Sequence, residues 1–324
     1  MIDGFGRTID YLRISITDRC NLRCKYCMPE EGVTLIPHEE ILSYEEILRL
    51  TEIFASCGIS KIKVTGGEPL VRRGAAELIG ALKKVPGIAK VTLTTNGTLL
   101  SGFMQELAAV QIDGINVSLD TLDPVIYQKI TGTDCFLEVM KGIDKALNYP
   151  EIPLKINCVP MKMEGQNVPE LAKLAKNNPV SVRYIEMMPL GMGKQFEFLS
   201  EEQILSELEK CYGAPFAVRE TMGNGPAHYF SFDGFCGKIG FVSAMSHRFC
   251  DSCNRLRLTS AGYLKTCLQY EDGADLRSLL RSGASDQEIS KLIRETVQKK
   301  PSGHCFGKKI SGQEERHWMT EIGG

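Results

Sequence analysis

Short apolar runs alternate with longer amphipathic segments along the first part of the chain. The runs that predict β-strands are YLRISIT from Tyr11, KIKVTGG from Lys61, VTLTTNG from Val91, INVSLD from Ile115, LKINCVP from Leu154 and VRYIEMM from Val182. Strands that alternate with helices are typical of βα units on a parallel sheet. Since a closed barrel of this kind has eight such units, the six runs predict an α/β fold with an open, partial TIM-type barrel.

The segments between these runs carry helical periodicity. Between the first two runs, LSYEEILRLTEIFASCG has apolar residues at helical spacing. Ser43 and Glu46 form a capping box at its start, and Gly58 marks its end. GFMQELAAV and PELAKLAKN predict two further amphipathic helices.

The pattern changes after Leu199. SEEQILSELEKCYG predicts a helix, a glycine-rich part with short β-like runs follows, and LRLTSAGYLKTC predicts a hairpin that turns at residues 260–262. We therefore expect a partial-barrel domain over residues 1–199 and a smaller α+β domain over residues 200–324. The last residues, HWMTEIGG, have the character of a tail that ends in Gly323 and Gly324.

Composition and charge narrow the class of protein. The chain is 43% hydrophobic and 24% charged, as in ordinary soluble proteins, and its net charge of −2 gives no general attraction to nucleic acid or acidic membranes. The N-terminus has no signal-peptide core, and no apolar run is long enough to span a bilayer. We expect a cytoplasmic protein that binds neither nucleic acid nor membrane. Its twelve cysteines are then not disulfides.

Six of the cysteines form two triplets. The other six are scattered singly along the chain, which is typical of cysteines that are buried as small apolar residues. The first triplet is Cys20, Cys24 and Cys27, spaced C-x3-C-x2-C directly after the first predicted strand. Thiolates favour zinc or iron–sulfur clusters. A structural zinc ion takes four closed ligands, whereas three thiolates on a [4Fe–4S] cluster leave one iron open to a small molecule. The spacing favours the cluster, with zinc as the lesser alternative.

Other polar and glycine-rich motifs follow the next strands. TGGEP follows the second predicted strand, TTNG the third, and SLD ends the fourth. Each motif on its own is also compatible with an ordinary turn. Because the carboxyl ends of parallel strands share one rim, all of them can meet the cysteine triplet there.

The residues Cys20-x3-Cys24-Lys25-Tyr26-Cys27, together with GGEP, resemble the signature of the radical S-adenosylmethionine (SAM) superfamily. The resemblance implies that the first triplet holds a [4Fe–4S] cluster whose open iron chelates SAM. The cluster then supplies the electron that cleaves SAM to a 5′-deoxyadenosyl radical. The residues that this resemblance places at SAM are Tyr26, Gly67, Ser118 and Met188.

The second triplet is Cys250, Cys253 and Cys267, spaced C-x2-C-x13-C. His247 precedes it by three residues, so a zinc site with three cysteines and one histidine is an alternative on spacing alone. Arg255 and Arg257 alternate on the β-like run that follows, and therefore point to one face, where they can bind phosphates or purine acceptors.

This segment resembles the GTP 3′,8-cyclase family of molybdenum cofactor biosynthesis, as do DRCNLRCKYCMP, TGGEP, TTNG and the terminal Gly-Gly. The resemblance implies a lyase with a second [4Fe–4S] cluster, in which the adenosyl radical takes the 3′ hydrogen of GTP and C3′ bonds to C8 to give 3′,8-cyclo-7,8-dihydro-GTP. Arg255 and Arg257 would be catalytic. The implied GTP contacts are Arg13, Lys63, Thr94, Lys155, Arg255, Leu256 and Arg257.

The same resemblance implies a reductant such as flavodoxin or ferredoxin, and cyclic pyranopterin monophosphate synthase as the enzyme that takes the product. It also allows a homodimer. Arg13, Lys63 and Lys155 lie within β-like runs, where an inward charge is costly unless an anion pairs with it. Residue type alone favours the alternative that some of these side chains point outward into solvent.

Two other functions remain open from the sequence. One is a different radical SAM enzyme with an auxiliary cluster, such as a peptide-modifying enzyme. The other is a non-enzymatic iron–sulfur or zinc protein, which leaves GGEP and the other rim motifs without a role.

Overall fold

The computed structural model describes residues 1–219, 223–306, 315 and 317–323. In this part of the chain twelve strands form one sheet. They are β1 (Tyr11–Ser15), β2 (Lys61–Thr65), β3 (Lys90–Thr95), β4 (Ile115–Ser118), β5 (Leu154–Cys158), β6 (Ser181–Ile185), β7 (Phe216–Val218), β8 (His228–Ser231), β9 (Lys238–Val242), β10 (Arg255–Leu258), β11 (Tyr263–Lys265) and β12 (Gly273–Asp275).

The centre of the sheet is a run of six parallel strands in sequence order, β1 to β6. These are the six predicted strands, so the partial barrel of six βα units is confirmed. Along each strand the apolar positions face the helices; Leu12 and Ile14 of β1, for example, are fully buried in the core. The alternate positions, such as Arg13, line the concave side.

The helices cover the outer face of the sheet. They are α1 (Tyr44–Ser56), α2 (Ala75–Lys83), α3 (Leu100–Ala109), α4 (Pro124–Thr131), α5 (Phe136–Leu147), α6 (Val168–Leu171), α7 (Lys173–Asn177), α8 (Glu201–Tyr212), α9 (Leu276–Arg281) and α10 (Asp286–Gln298). The predicted capping box is present, because Ser43 and Glu46 each accept the other's backbone N–H. PELAKLAKN forms two short helices interrupted at Ala172 rather than one. Among the described residues, all helices fall short of the length and apolarity that a bilayer-crossing segment needs.

The strands after Leu199 extend the same sheet at both edges. β10 pairs in parallel with β1, and β9 pairs in parallel with β6. β11 and β12 continue beyond β10, and β8 and β7 continue beyond β9, all antiparallel. The hairpin predicted in LRLTSAGYLKTC is β10–β11, and Gly262 in its turn has φ +79°. The C-terminal part thus completes the barrel wall on either side, and a domain boundary near residue 199 stays a prediction.

Candidate active site

A cavity of about 660 Å³ lies on the concave side of the sheet. Its walls contain every site residue predicted from the sequence except Leu256. Those brought together are Arg13, Cys20, Cys24, Tyr26, Cys27, Lys63, Gly67, Thr94, Ser118, Lys155, Met188, Cys250, Cys253, Arg255, Arg257 and Cys267. The side chain of Leu256 is fully buried in the apolar core instead. The reason is strand alternation: Arg255 and Arg257 face the cavity, so the residue between them faces away.

The first triplet sits on a loop that follows β1 and is tied to the end of α4. Within the loop, the Cys27 N–H donates to the Cys24 carbonyl at 2.9 Å. The N–H groups of Arg23 and Lys25 donate to the carbonyls of Thr131 and Ile130. Burial, followed by the charge of Cys20, raises the pKa of Cys27 to about 12. Such thiols become thiolates when a metal centre takes up the negative charge.

The distances between the cysteine sulfurs distinguish a site for an iron–sulfur cluster from a site for a single zinc ion. Among the described residues, three metal-ligating side-chain atoms lie within 4.8 Å of one another only at Glu271, Glu315 and His317. In each cysteine triplet at least one pair of sulfurs is therefore more than 4.8 Å apart. Zn–S bonds of about 2.3 Å place tetrahedral thiolates only about 3.8 Å apart, whereas thiolates on different irons of a cluster are further apart. Both triplets fit a cluster better than a zinc ion.

His247 does not complete the second triplet. Its Nδ1 lies 3.4 Å from a carboxylate oxygen of Glu201 and 3.2 Å from the Ser246 hydroxyl. The Nδ1 side of the ring thus faces Glu201 of α8 and Ser246.

Gly66 and Gly67 of the GGEP motif pack directly on the backbone that leads into the first triplet. The Gly67 N–H donates to the Thr17 carbonyl at 2.7 Å, and the Glu68 N–H donates to the Arg19 carbonyl at 2.8 Å. A Cβ on Gly67 would lie 2.4 Å from the Arg19 oxygen. The motif therefore needs glycine for this backbone contact, whether or not the same glycine also contacts a ligand.

Glu68 joins this motif to TTNG. Its fully buried carboxylate accepts from the N–H groups of Leu70 and Asn96 and from the Thr95 hydroxyl, at 2.6 to 2.9 Å. Burial raises its pKa to about 7, although these three hydrogen bonds oppose the rise. The convergence of the rim motifs, predicted from their place at strand ends, is thus present in the structure.

The SLD motif contacts the cysteine loop through Tyr26. Its hydroxyl donates to Asp120 at 2.8 Å, and the other oxygen of Asp120 accepts from the Val159 N–H. Burial raises the pKa of Asp120 to about 6. The ring of Tyr26 packs on a small apolar cluster that includes Met187. Both ends of the tyrosine are therefore fixed, with the ring at the cavity wall.

Eight lysine and arginine side chains line the cavity, and seven of them lie on strands. Arg13 of β1 is in register with Lys63 of β2 and Arg257 of β10. Burial, followed by the charges of Arg183, Arg13, Lys155 and Arg255, holds the pKa of Lys63 well below its usual value. Burial and the charge of Arg183 lower the pKa of Lys155 to about 8. The positive potential of these side chains favours the binding of a multiply charged anion in the cavity.

Arg183, Asn116 and Asn157 are site residues that the sequence reasoning did not identify. The Arg183 guanidinium donates to the side-chain oxygens of Asn157 and Asn116, at 2.9 and 3.0 Å. The Asn116 amide donates in turn to the Thr94 hydroxyl at 3.2 Å. The signal available was their position: each alternates with buried apolar residues in its strand, so it faces the cavity.

The end of the chain folds into the cavity rather than forming a free tail. Met319 and Thr320 line the wall, and Ile322 is buried. The Gly323 carbonyl accepts from Thr65 at 3.2 Å and from the guanidinium groups of Arg13 and Arg257, each at 3.4 Å. Gly324 lies outside the described residues.

Comparisons with known proteins agree with this geometry. The chain matches the family model Radical SAM superfamily over residues 14–175 and the model Molybdenum Cofactor Synthesis C over residues 180–306. It is 42% identical to a GTP 3′,8-cyclase of Clostridium perfringens (strain SM101 / Type A), with 100% of each chain covered. It is 46% identical to a GTP 3′,8-cyclase of Thermodesulfovibrio yellowstonii, covering 94% of this chain and 95% of the relative.

A solved structure, Streptococcus suis SuiB bound to S-adenosylmethionine, shares the fold with a TM-score of 0.58. The similarity covers 92% of this chain and 73% of SuiB at 17% identity, so it bears on the fold alone. The whole-length identity to the curated relatives is far higher. The chain belongs to the GTP 3′,8-cyclase family of the radical SAM superfamily.

Proposed function

We propose that this chain is a lyase that converts GTP to 3′,8-cyclo-7,8-dihydro-GTP, the first step of molybdenum cofactor biosynthesis. The observation that carries the proposal is one cavity whose wall holds two cysteine triplets and a set of eight cations. Neither triplet alone requires GTP. Their presence around a common cationic space fits a reaction between a radical source and a nucleoside triphosphate.

Cys20, Cys24 and Cys27 would hold the [4Fe–4S] cluster that membership of the superfamily implies, with SAM on its open iron. When bound, the cluster and SAM would supply a 5′-deoxyadenosyl radical, which would remove the 3′ hydrogen of GTP. The chain's own contribution is to orient the two substrates. Tyr26 is fixed at both ends and can hold the adenine ring; Gly67, Ser118 and Met188 lie on the same wall and would complete the SAM site.

Cys250, Cys253 and Cys267 would hold a second [4Fe–4S] cluster, whose open iron would bind the guanine. The support is that the three sulfurs do not all lie within 4.8 Å of one another and that they lie on the cavity wall. Holding the guanine there would fix C3′ relative to the radical source, and such orientation is a large part of catalytic power.

The triphosphate would bind the cationic set. Arg255 and Arg257 offer forked donors beside the second triplet, and Arg13, Lys63 and Lys155 add charge from β1, β2 and β5. Thr94 adds a hydroxyl. Leu256 would take part through its backbone only, since its side chain is in the core.

Further parts of the proposal concern partners. A flavodoxin or ferredoxin would supply electrons, and cyclic pyranopterin monophosphate synthase would take the product. We also propose a cytoplasmic location, a homodimer, and the division into domains at residues 1–199 and 200–324. Mixing the chain with each partner protein tests the electron donor and the synthase, and light scattering of the purified chain tests the homodimer.

Anaerobic reconstitution tests the function. The chain should bind about eight irons, four in each cluster, and should consume GTP when SAM and dithionite are present. Cys250→Ala should lose about half of the iron and all turnover of GTP, while Cys211→Ala, at an exposed cysteine outside the cavity, should lose neither. Eight irons with SAM cleavage but no consumption of GTP would favour a peptide-modifying enzyme instead. Stoichiometric zinc without iron would refute both.

A further inference from the structure

The segment Lys300–Pro301–Ser302–Gly303–His304 packs around the second cysteine triplet, and Lys300 is its buried charge. Lys300 follows α10 by two residues, is 3% exposed and lines the cavity. Its ammonium donates to the Arg255 carbonyl at 3.0 Å and to the Thr266 carbonyl. Arg255 lies two residues after Cys253, and Thr266 directly precedes Cys267. A single side chain thus bridges the backbone beside two of the three cysteines.

The buried ammonium group of Lys300 lies near groups that can carry negative charge. An ammonium group in the interior is costly unless negative charge compensates it. Burial lowers the pKa of Lys300, and the thiolates of Cys253 and Cys267 raise it again. The Lys300 ammonium therefore lies where its charge would act on a cluster ligated by Cys253 and Cys267.

The rest of the segment fixes Lys300 in place. A Cβ on Gly303 would lie 3.1 Å from the Cβ and 3.3 Å from the Sγ of Cys250, so glycine allows the segment to lie against that cysteine. The Arg7 guanidinium donates to the carbonyls of Cys250, Ser302 and Pro301, at 2.6 to 2.9 Å. The segment and the triplet are thereby held as one unit, which leaves the ammonium little freedom to move away.

We propose that Lys300 is a positioning residue that raises the reduction potential of the cluster at Cys250, Cys253 and Cys267. A nearby fixed cation stabilises the reduced cluster, which carries one more negative charge than the oxidised one, and such outer-shell charges and hydrogen bonds tune cluster potentials. The inference rests on the second cluster of the proposed function. It goes further in assigning a task to a residue that contacts neither SAM nor the triphosphate in that proposal.

The test uses the full-length chain with Cys20, Cys24 and Cys27 replaced by alanine, so that only the second cluster is present. Its midpoint potential is measured by anaerobic redox titration with electron paramagnetic resonance. Lys300→Gln retains hydrogen-bond donors but removes the charge, and should lower the potential by about 59 mV, a tenfold change in a one-electron equilibrium. Lys300→Arg should keep the potential. Lys299→Gln, at the adjacent exposed lysine, is the matched control and should also keep it.

Each outcome bears on the inference. An unchanged potential in Lys300→Gln with full iron would overturn it. Loss of the cluster in both the Gln and Arg variants would also overturn it and make Lys300 a packing residue. Loss of the cluster in Lys300→Gln alone would support a requirement for the charge. If the variant that lacks Cys20, Cys24 and Cys27 binds no iron, the proposed second cluster is refuted. That result is distinct from a bound cluster whose reduction potential is unchanged in Lys300→Gln.

Discussion

Gly67 offers a direct way to separate the two cysteine triplets. In Gly67→Ala the new Cβ would lie 2.4 Å from the Arg19 oxygen and 2.7 Å from the Asp18 oxygen, where real Cβ contacts essentially never fall below 3.0 Å. The backbones must therefore separate by at least 0.6 Å. Both contacting atoms belong to the main chain, so no side-chain rotation relieves the clash. Overpacking of this kind costs about 1–3 kcal/mol, and here it displaces the loop that carries Cys20.

The expected result is a selective loss of iron. Gly67→Ala should fall from about eight irons to about four, keep the cluster at Cys250, and bind SAM weakly. Iron analysis and equilibrium binding of SAM measure this, and thermal unfolding should show a decrease in Tm. Gly102→Ala is the control, because a Cβ at this exposed position in α3 meets nothing within 4 Å. That variant should gain up to about 1 kcal/mol. Full iron and unchanged SAM affinity in Gly67→Ala would refute the reasoning.

Three further predictions concern the cations and the scaffold. Arg257→Ala should keep both clusters but weaken GTP binding by about 2–5 kcal/mol, because a buried charged contact is lost. Calorimetry should show this as a factor of about 30 or more in affinity. Unchanged affinity would exclude Arg257 from the nucleotide site. The lowered pKa of Lys155, about 8, means that its positive charge is present below pH 8 and is lost as the pH rises through that value. GTP affinity should therefore fall between pH 7 and 9, and Lys155→Met should remove this step; a step that persists in the variant belongs to another group. Ser43→Ala should cost about 1 kcal/mol in denaturant unfolding, because the capping box of α1 is lost, and should leave the iron content unchanged; a loss of iron would place Ser43 in the site.

The sequence predicted the central strands because each one carries its own local signal. The β1 to β6 runs are short, apolar and separated by helical periodicity, and parallel order follows from such crossovers. The capping box at Ser43 and Glu46 was equally local. The pairing of β10 with β1 and of β9 with β6 could not be predicted in this way. It joins segments far apart in the sequence, and nothing within either segment specifies its partner.

The site shows the same division between local and distant information. Arg255 and Arg257 were placed on one face by alternation, and the same rule places Leu256 in the core. The role of Gly67 in contacting the Arg19 carbonyl depends on a neighbouring loop, so the motif alone indicated only a place for Gly67 at SAM. Arg183 is held by asparagines from two other strands, and only the assembled sheet brings these residues together.

The central claim is that this cavity brings the radical derived from SAM to the ribose of GTP. The most direct measurement uses GTP that carries deuterium at the 3′ position, incubated anaerobically with the reconstituted chain, SAM and dithionite. Mass spectrometry then follows the 5′-deoxyadenosine that forms. The account predicts transfer of deuterium into 5′-deoxyadenosine together with consumption of GTP. Formation of 5′-deoxyadenosine without deuterium, while GTP remains unchanged, would contradict it.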